Sequence, residues 1–288
     1  MAKYHFKKFF VILFALFFFQ SGEAQDLHRK NKDLPCVNKK YNVIAHVAVD
    51  SVNRDAIWTQ FQADSIIQEA SKYFDPICMG FSLCEYNVME EDYTLGYLRD
   101  EPLTLDQRFE ELETKFAQIH KINIFFLDTI QERFCGHANQ FGIESQEDAS
   151  VFLERDCADG EAQQLAHLLG HLFGLLNTYE PSEIELVDGS NCELVADKLC
   201  DTPADPYGQV FLNPQDSAAI ANLEISITSL FSYLTDCEFT HIIRDPNGEY
   251  YQPDVGNIMS AYPCKCGFTR EQYLKIVEAY HSVNPKHF

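Results

Sequence analysis

Apolar and polar residues alternate from residue 41 to 49, where Val43, Ala45, Val47 and Val49 fall on one face of a predicted strand and Ile44, His46 and Ala48 on the other. His46 matches no metal-ligand spacing and reads as a strand histidine. Residues 55–74 read as a helix and 79–89 as a strand. Thr104 is the predicted N-cap of the next helix, whose stripe of Leu105, Phe109, Leu112, Phe116 and Ile119 recurs at spacings of 4 and 3. Residues 122–127 form an apolar run suited to a buried strand, 150–153 suit an edge strand, and Thr269 caps a final helix over 269–281. This alternation up to Gly174 predicts an α/β (α+β) fold, a mixed sheet backed by helices. Beyond Gly174 the pattern turns irregular, rich in Cys, Pro, Gly and Asp, and residues 213–233 are apolar-rich without a deciding period.

A second helical pattern carries chemistry. At about 100° per residue, Leu165, Leu169, Leu172 and Leu176 fall in one stripe, while His167 and His171 lie roughly opposite. Histidines four apart on a helix share a face and can converge on one metal ion. A zinc peptidase of this kind needs a Glu directly after the first His as proton acceptor, and that position is Leu168. Such a site also bends at a Gly and takes its third His three residues later; here Gly174 is followed by Asn177. Alone, a pair of this spacing is more often two incidental histidines on a buried helix.

Further segments change that weighting. Cys135-Gly136-His137-Ala138 precedes the helix, Cys200-Asp201-Thr202-Pro203-Ala204-Asp205-Pro206 follows it, and Asn257-Ile258-Met259-Ser260-Ala261-Tyr262 precedes Phe268-Thr269-Arg270-Glu271-Gln272. In this order the segments resemble the pappalysin family of metzincin zinc endopeptidases, especially its secreted bacterial members. The resemblance implies a metzincin-like fold. An upper subdomain (about 36–174) would hold the twisted sheet and the zinc-type helix, and an irregular, disulfide-rich lower subdomain (about 175–288) would face it across a cleft. It implies that Met259 forms the turn beneath the metal, and that His167, His171 and Asn177 are a vestigial Zn²⁺ ligand set. The family often carries a Tyr two residues after that Met, where this chain has Ala261, with Tyr262 one place further on. Ca²⁺ occurs in some relatives and is a second candidate ion, with no ligand set to assign.

Targeting and charge bound the setting. Lys3, Lys7 and Lys8, the apolar run 9–19 and Gly22-Glu23-Ala24 have the form of a signal peptide cleaved after Ala24, followed by a loose leader over 25–35 and one domain over 36–288. The apolar run is shorter than the roughly 20 residues of a spanning helix, so no stable membrane insertion is expected. Losing residues 1–24 removes three lysines and Glu23 and takes the net charge from −22 to −24, which disfavours nucleic acid as a partner. All ten cysteines follow residue 24, as expected of disulfides in a secreted or periplasmic protein with no free thiol. Local spacing pairs Cys78 with Cys84, Cys135 with Cys157, Cys192 with Cys200, and Cys237 with Cys264 or Cys266, leaving Cys36 for what remains.

Three functions are open at this level. One is a secreted pseudoprotease that lacks the general base and the third His and binds a protein or peptide in its cleft. Another is an active zinc-dependent endopeptidase with non-standard catalytic groups, and the third is a disulfide-stabilised structural protein. The chain has no GxSxG, GxGxxG or P-loop pattern to point elsewhere.

Overall fold

The structure, a computed structural model, describes residues 33–50, 55–89, 105–128, 130, 135–139, 142–145, 149–155, 160–179, 183–208, 238–239 and 242–283. Two units separate at Pro35, Met1–Pro35 and Cys36–Phe288, and every element below belongs to the second. The signal peptide, Thr104, Cys157, Cys237 and residues 213–233 lie outside the described residues.

Strand β1 (Lys39–Ala48) runs parallel to β2 (Met79–Met89) and to β3 (Ile122–Leu127), and β3 runs parallel to β5 (Ser150–Glu154). Strand β4 (Gly136–Ala138) closes the sheet antiparallel to β5, giving the order β2-β1-β3-β5-β4. The chain is thus α/β with a five-stranded mixed sheet. Helices α1 (Gln60–Ser71) and α4 (Glu161–Leu172) pack together on one face, where Tyr41, Phe74, Phe81 and Phe173 form an aromatic cluster. Helix α2 (Leu105–Phe116) covers the other face, setting Phe109 and Leu112 against Phe125 and Phe152. A short helix α3 (Gly142–Ser145) and the last helix α5 (Arg270–Ser282) complete the elements named here.

Both faces of β1 are buried from Val43 to Val49, because helices cover a parallel sheet on both sides. His46 is therefore a core residue: its Nε2–H donates to Asn123 Oδ1 at 3.1 Å and its ring stacks on Phe125. Helix α1 begins five residues later than its apolar pattern suggests, because Thr59 and Gln62 form a capping box. It ends in a 3₁₀ segment, Lys72–Ile77, which contains Pro76.

Several expectations need correction. Strand β5 is interior, and β4 forms the edge. Ile119 lies beyond the end of α2 and is exposed, and Leu176 lies beyond the end of α4. Cys78 pairs with Cys36, not Cys84, because Cys78 sits in a left-handed turn (φ 55°) that brings it beside the segment leading into β1. Cys84 is left as an exposed thiol at a bulge, where Val43 pairs with Leu83 and Ile44 with Glu85. Cys266 is a second exposed thiol. Cys192–Cys200 forms as expected. Cys264 is also in a disulfide, and the expected pairings of Cys135 and Cys237 reach outside the described residues.

Candidate functional site

Helix α4 holds the histidine pair by burying its opposite stripe: Leu165, Leu169 and Leu172 are fully buried. It stops at a Schellman motif, in which Leu175 N–H donates to Gly170 O and Gly174 N–H to His171 O, with Gly174 at φ 85°. That conformation favours Gly and needs no metal to explain it. The turn returns Leu175 O to His171, whose Nδ1–H donates to it at 2.8 Å. His167 Nδ1–H donates to Ile258 O at 2.8 Å. A carbonyl only accepts, so both histidines carry their proton on Nδ1 and leave Nε2 as a lone-pair donor. The two Nε2 atoms face each other at 3.1 Å.

Met259 lies directly under this helix. A Cβ on Gly170 would come 2.5 Å from Met259 Sδ, and Thr178 N–H donates to Met259 O. Asn257 shapes the turn: its Oδ1 accepts from Met259 N–H, and its amide donates to Gln272 of α5. The second motif has a structural task as well. Buried Asp205 accepts from Thr178 Oγ1, Tyr262 Oη and Tyr207 N–H, joining the chain after α4 to the methionine turn. Tyr262 is fully buried by this bond and does not line the cavity, whereas Ala261 does.

A cavity of about 430 Å³ opens over the pair and brings His167, His171, Asn177, Leu168 and Ala261 together with strand β4. Leu168 is buried against that strand, and a Cβ on Gly136 would meet Leu168 Cδ1 at 2.5 Å. His137 also borders the cavity, but its ring stacks on Phe109 of α2. Asn177 Oδ1 is buried without a hydrogen-bond partner among the described residues. Among the described residues no carboxylate lines the cavity.

Three lining residues were not singled out from sequence: Gln164, Tyr179 and Lys265. Gln164 sits one turn before Leu168 and was legible from helical spacing. Lys265 was not, since it lies between two cysteines in a stretch without periodicity. Its side chain is buried, and its Nζ donates to Ile258 O at 3.1 Å and Ser260 O at 2.7 Å. Burial holds His167 well below its ordinary pKa, with the charges of Lys265 and of His171 adding to the shift and the Ile258 carbonyl opposing it. Burial lowers His171 as well; the Leu175 carbonyl and Asn177 oppose, while Lys265 reinforces.

The donors bear comparison with a metal site. Tetrahedral Zn²⁺ with Zn–N near 2.0–2.1 Å sets two ligand nitrogens roughly 3.3 Å apart, close to the 3.1 Å between the Nε2 atoms. Both Nδ1–H groups are anchored on backbone carbonyls, as outer partners of metal-binding histidines are. Two imidazole nitrogens with an orphaned amide oxygen nearby fit a divalent ion, though as a poorer set than three histidines. Among the described residues no group of three or more His, Cys, Asp and Glu is arranged to hold a metal.

No protein-family model matches the chain, and no curated protein matches it. A solved structure described as "Structure of a chaperone-substrate complex" matches with a TM-score of 0.34 and 12% sequence identity over 51% of this chain. The chain spans about 25% of the length of that solved chain.

Proposed function

We propose that this protein is a pappalysin-like pseudoprotease, which keeps a metzincin-like frame and uses its cleft to bind a protein or peptide outside the cytoplasm. The observation that carries this reading is the cavity wall over the histidine pair. Leu168 packs on Gly136 at the position that calls for a proton acceptor, and no carboxylate among the described residues lines the space to replace it. A positioned general base contributes about 10² to 10⁴-fold, and an apolar side chain there also excludes the water on which such a base acts. The Schellman bend at Gly174 and Met259 under Gly170 support the frame. The Cys36–Cys78 and Cys192–Cys200 disulfides support an oxidising compartment.

His167 and His171 would hold a metal ion through Nε2, and Asn177 through Oδ1. A bound divalent ion supplies Lewis-acid polarisation of a carbonyl oxygen. The chain's own residues are suited to binding: Gln164 and Tyr179 offer polar groups to an extended peptide, and Leu168 and Ala261 offer apolar contact.

Two measurements on the mature chain test this reading. Supplied with Zn²⁺, it is expected to leave a mixed peptide library uncut. Peptides selected from a random library by binding should be lost on Ala261→Trp, which fills the cavity, in a variant of unchanged Tm. Zinc-dependent cleavage abolished by His167→Ala would overturn the proposal and establish the active endopeptidase instead.

A further inference from the structure

We propose that the pocket at the histidine pair recognises a primary carboxamide, the side-chain amide of a Gln or Asn residue in a bound peptide, through Nε2 of His167 and His171 and Oδ1 of Asn177. The inference rests on the reading of the cavity as a peptide-binding cleft and names the side chain that the cleft selects.

Three hydrogen-bond acceptors belong to residues that line this one cavity. His167 and His171 give their Nδ1 protons to the carbonyls of Ile258 and Leu175, so each presents a lone pair at Nε2, and the two Nε2 atoms face each other at 3.1 Å. Asn177 Oδ1 is the third acceptor, buried with no hydrogen-bond partner among the described residues. Acceptors cannot satisfy one another, and a buried acceptor without a donor is costly, so the cluster is matched by a guest that brings N–H groups. A carboxylate brings only more acceptors. An ammonium or guanidinium brings donors together with a charge, and no carboxylate among the described lining residues would pair with it. A hydroxyl or a backbone amide is neutral but brings a single proton. A primary carboxamide brings two N–H groups on one planar nitrogen, one for the histidine pair and one for Asn177 Oδ1. Its carbonyl oxygen needs a donor in turn, and the amide of Gln164, buried in the same lining, carries one. Leu168 and Ala261 offer apolar surface to the methylene groups behind the amide, and about 430 Å³ holds such a side chain with its neighbouring peptide atoms.

The test uses pools of short peptides blocked by an acetyl group and an N-methylamide, with one position fixed as Gln, Asn, Glu, Met or Lys and no Gln or Asn elsewhere. The fixed residue then carries the sole primary carboxamide. Binding to the mature chain is measured by calorimetry, and the Nε2 resonances of His167 and His171 are followed by ¹⁵N NMR. The expected result is binding of the Gln or the Asn pool about tenfold tighter than of the Glu, Met and Lys pools, with both Nε2 resonances moving on saturation. The better of the two amide pools gives the side-chain length that the pocket takes. Asn177→Leu and Asn177→Ala should lose the preference in whichever variant keeps the wild-type Tm. Equal binding of all pools would overturn the proposal, as would unmoved Nε2 resonances or a preference that survives substitution of Asn177. Binding without an amide preference leaves the peptide-binding reading standing, whereas no binding by any pool overturns both, so the two failures are distinguishable.

Discussion

Gly170 and Met259 are in direct contact: a single added carbon on Gly170 would lie 2.5 Å from Met259 Sδ. This close approach sets the helix that carries His167 and His171 onto the turn that supplies the Ile258 carbonyl to His167. Met259 is fully buried and cannot swing aside at little cost. Gly170→Ala is therefore expected to destabilise the protein by about 1–3 kcal/mol, the usual range for overpacking, and to disturb the His167–Ile258 hydrogen bond. Thermal unfolding and histidine NMR shifts check this; an unchanged Tm would show that the turn is free to move.

Leu168 and Asn177 define a rescue experiment. Asn177→His should raise Zn²⁺ affinity by supplying a third nitrogen, and Leu168→Glu should add the missing base. Neither change alone is expected to give much hydrolysis, because metal and base act on the same water and their effects are not additive. Leu168→Glu also places a carboxyl where a buried Leu packs on Gly136, so the single variant should lose stability. Zinc content, Tm and cleavage of a mixed peptide library are read for wild type, both single variants and the double variant. Equal zinc content in wild type and Asn177→His would defeat the ligand assignment.

Glu185 gives the protein a pH-dependent stability. Burial, with Asp197 and Asp205 nearby, pushes its carboxyl up to about 8, far above the ordinary value. Burial pushes Asp197 up to about 6. A raised carboxyl binds its proton more tightly in the folded state, so its contribution is full below the unfolded pKa and is lost as pH rises towards the folded pKa. The lowered His46, His137, His167 and His171 act in the opposite sense, adding stability as pH rises through the ordinary His range near 6.5. Between pH 6.5 and 8 the Glu185 contribution should therefore fall by about 2 kcal/mol, which is read as the difference in slope between wild type and Glu185→Gln. Denaturant unfolding across the window decides, and a slope unaltered by the substitution would assign it to another group.

Cys84 and Cys266 are exposed thiols, one at the bulge of an edge strand and one next to disulfide-bonded Cys264. Both should be alkylated in the native protein, while Cys36, Cys78, Cys192 and Cys200 should react only after reduction. Peptide mapping by mass spectrometry reads this out. Native protein that takes up no label at either position would restore full pairing of the ten cysteines.

Local order was legible in the sequence wherever one short-range signal decided it. The alternation at 41–49, the apolar run at 122–127 and the final helix capped by Thr269 all stand in the structure near their expected limits. So does the helix that sets His167 and His171 four residues apart on one face. Limits failed where two local signals competed: Thr59 and Gln62 outweighed the apolar pattern before them, and the Schellman turn ended α4 before Leu176.

What the sequence by itself determined was thus the order of the longer elements and the position of the histidine pair on its helix. Tertiary structure alone decided strand order, since pairing across a sheet depends on which faces helices cover and not on neighbours in the chain; hence β5 is interior and β4 the edge. It also decided that Cys36 pairs with Cys78 and leaves Cys84 a thiol, because a disulfide requires Cα atoms close in space, and Cys36 and Cys78 are 42 residues apart in sequence and 4.9 Å apart in the fold. Lys265 is the sharpest case. Its place beneath the histidine pair follows from a long-range contact between α4 and the turn at Met259, and electrostatic neighbours brought together across such a contact leave no trace in local sequence.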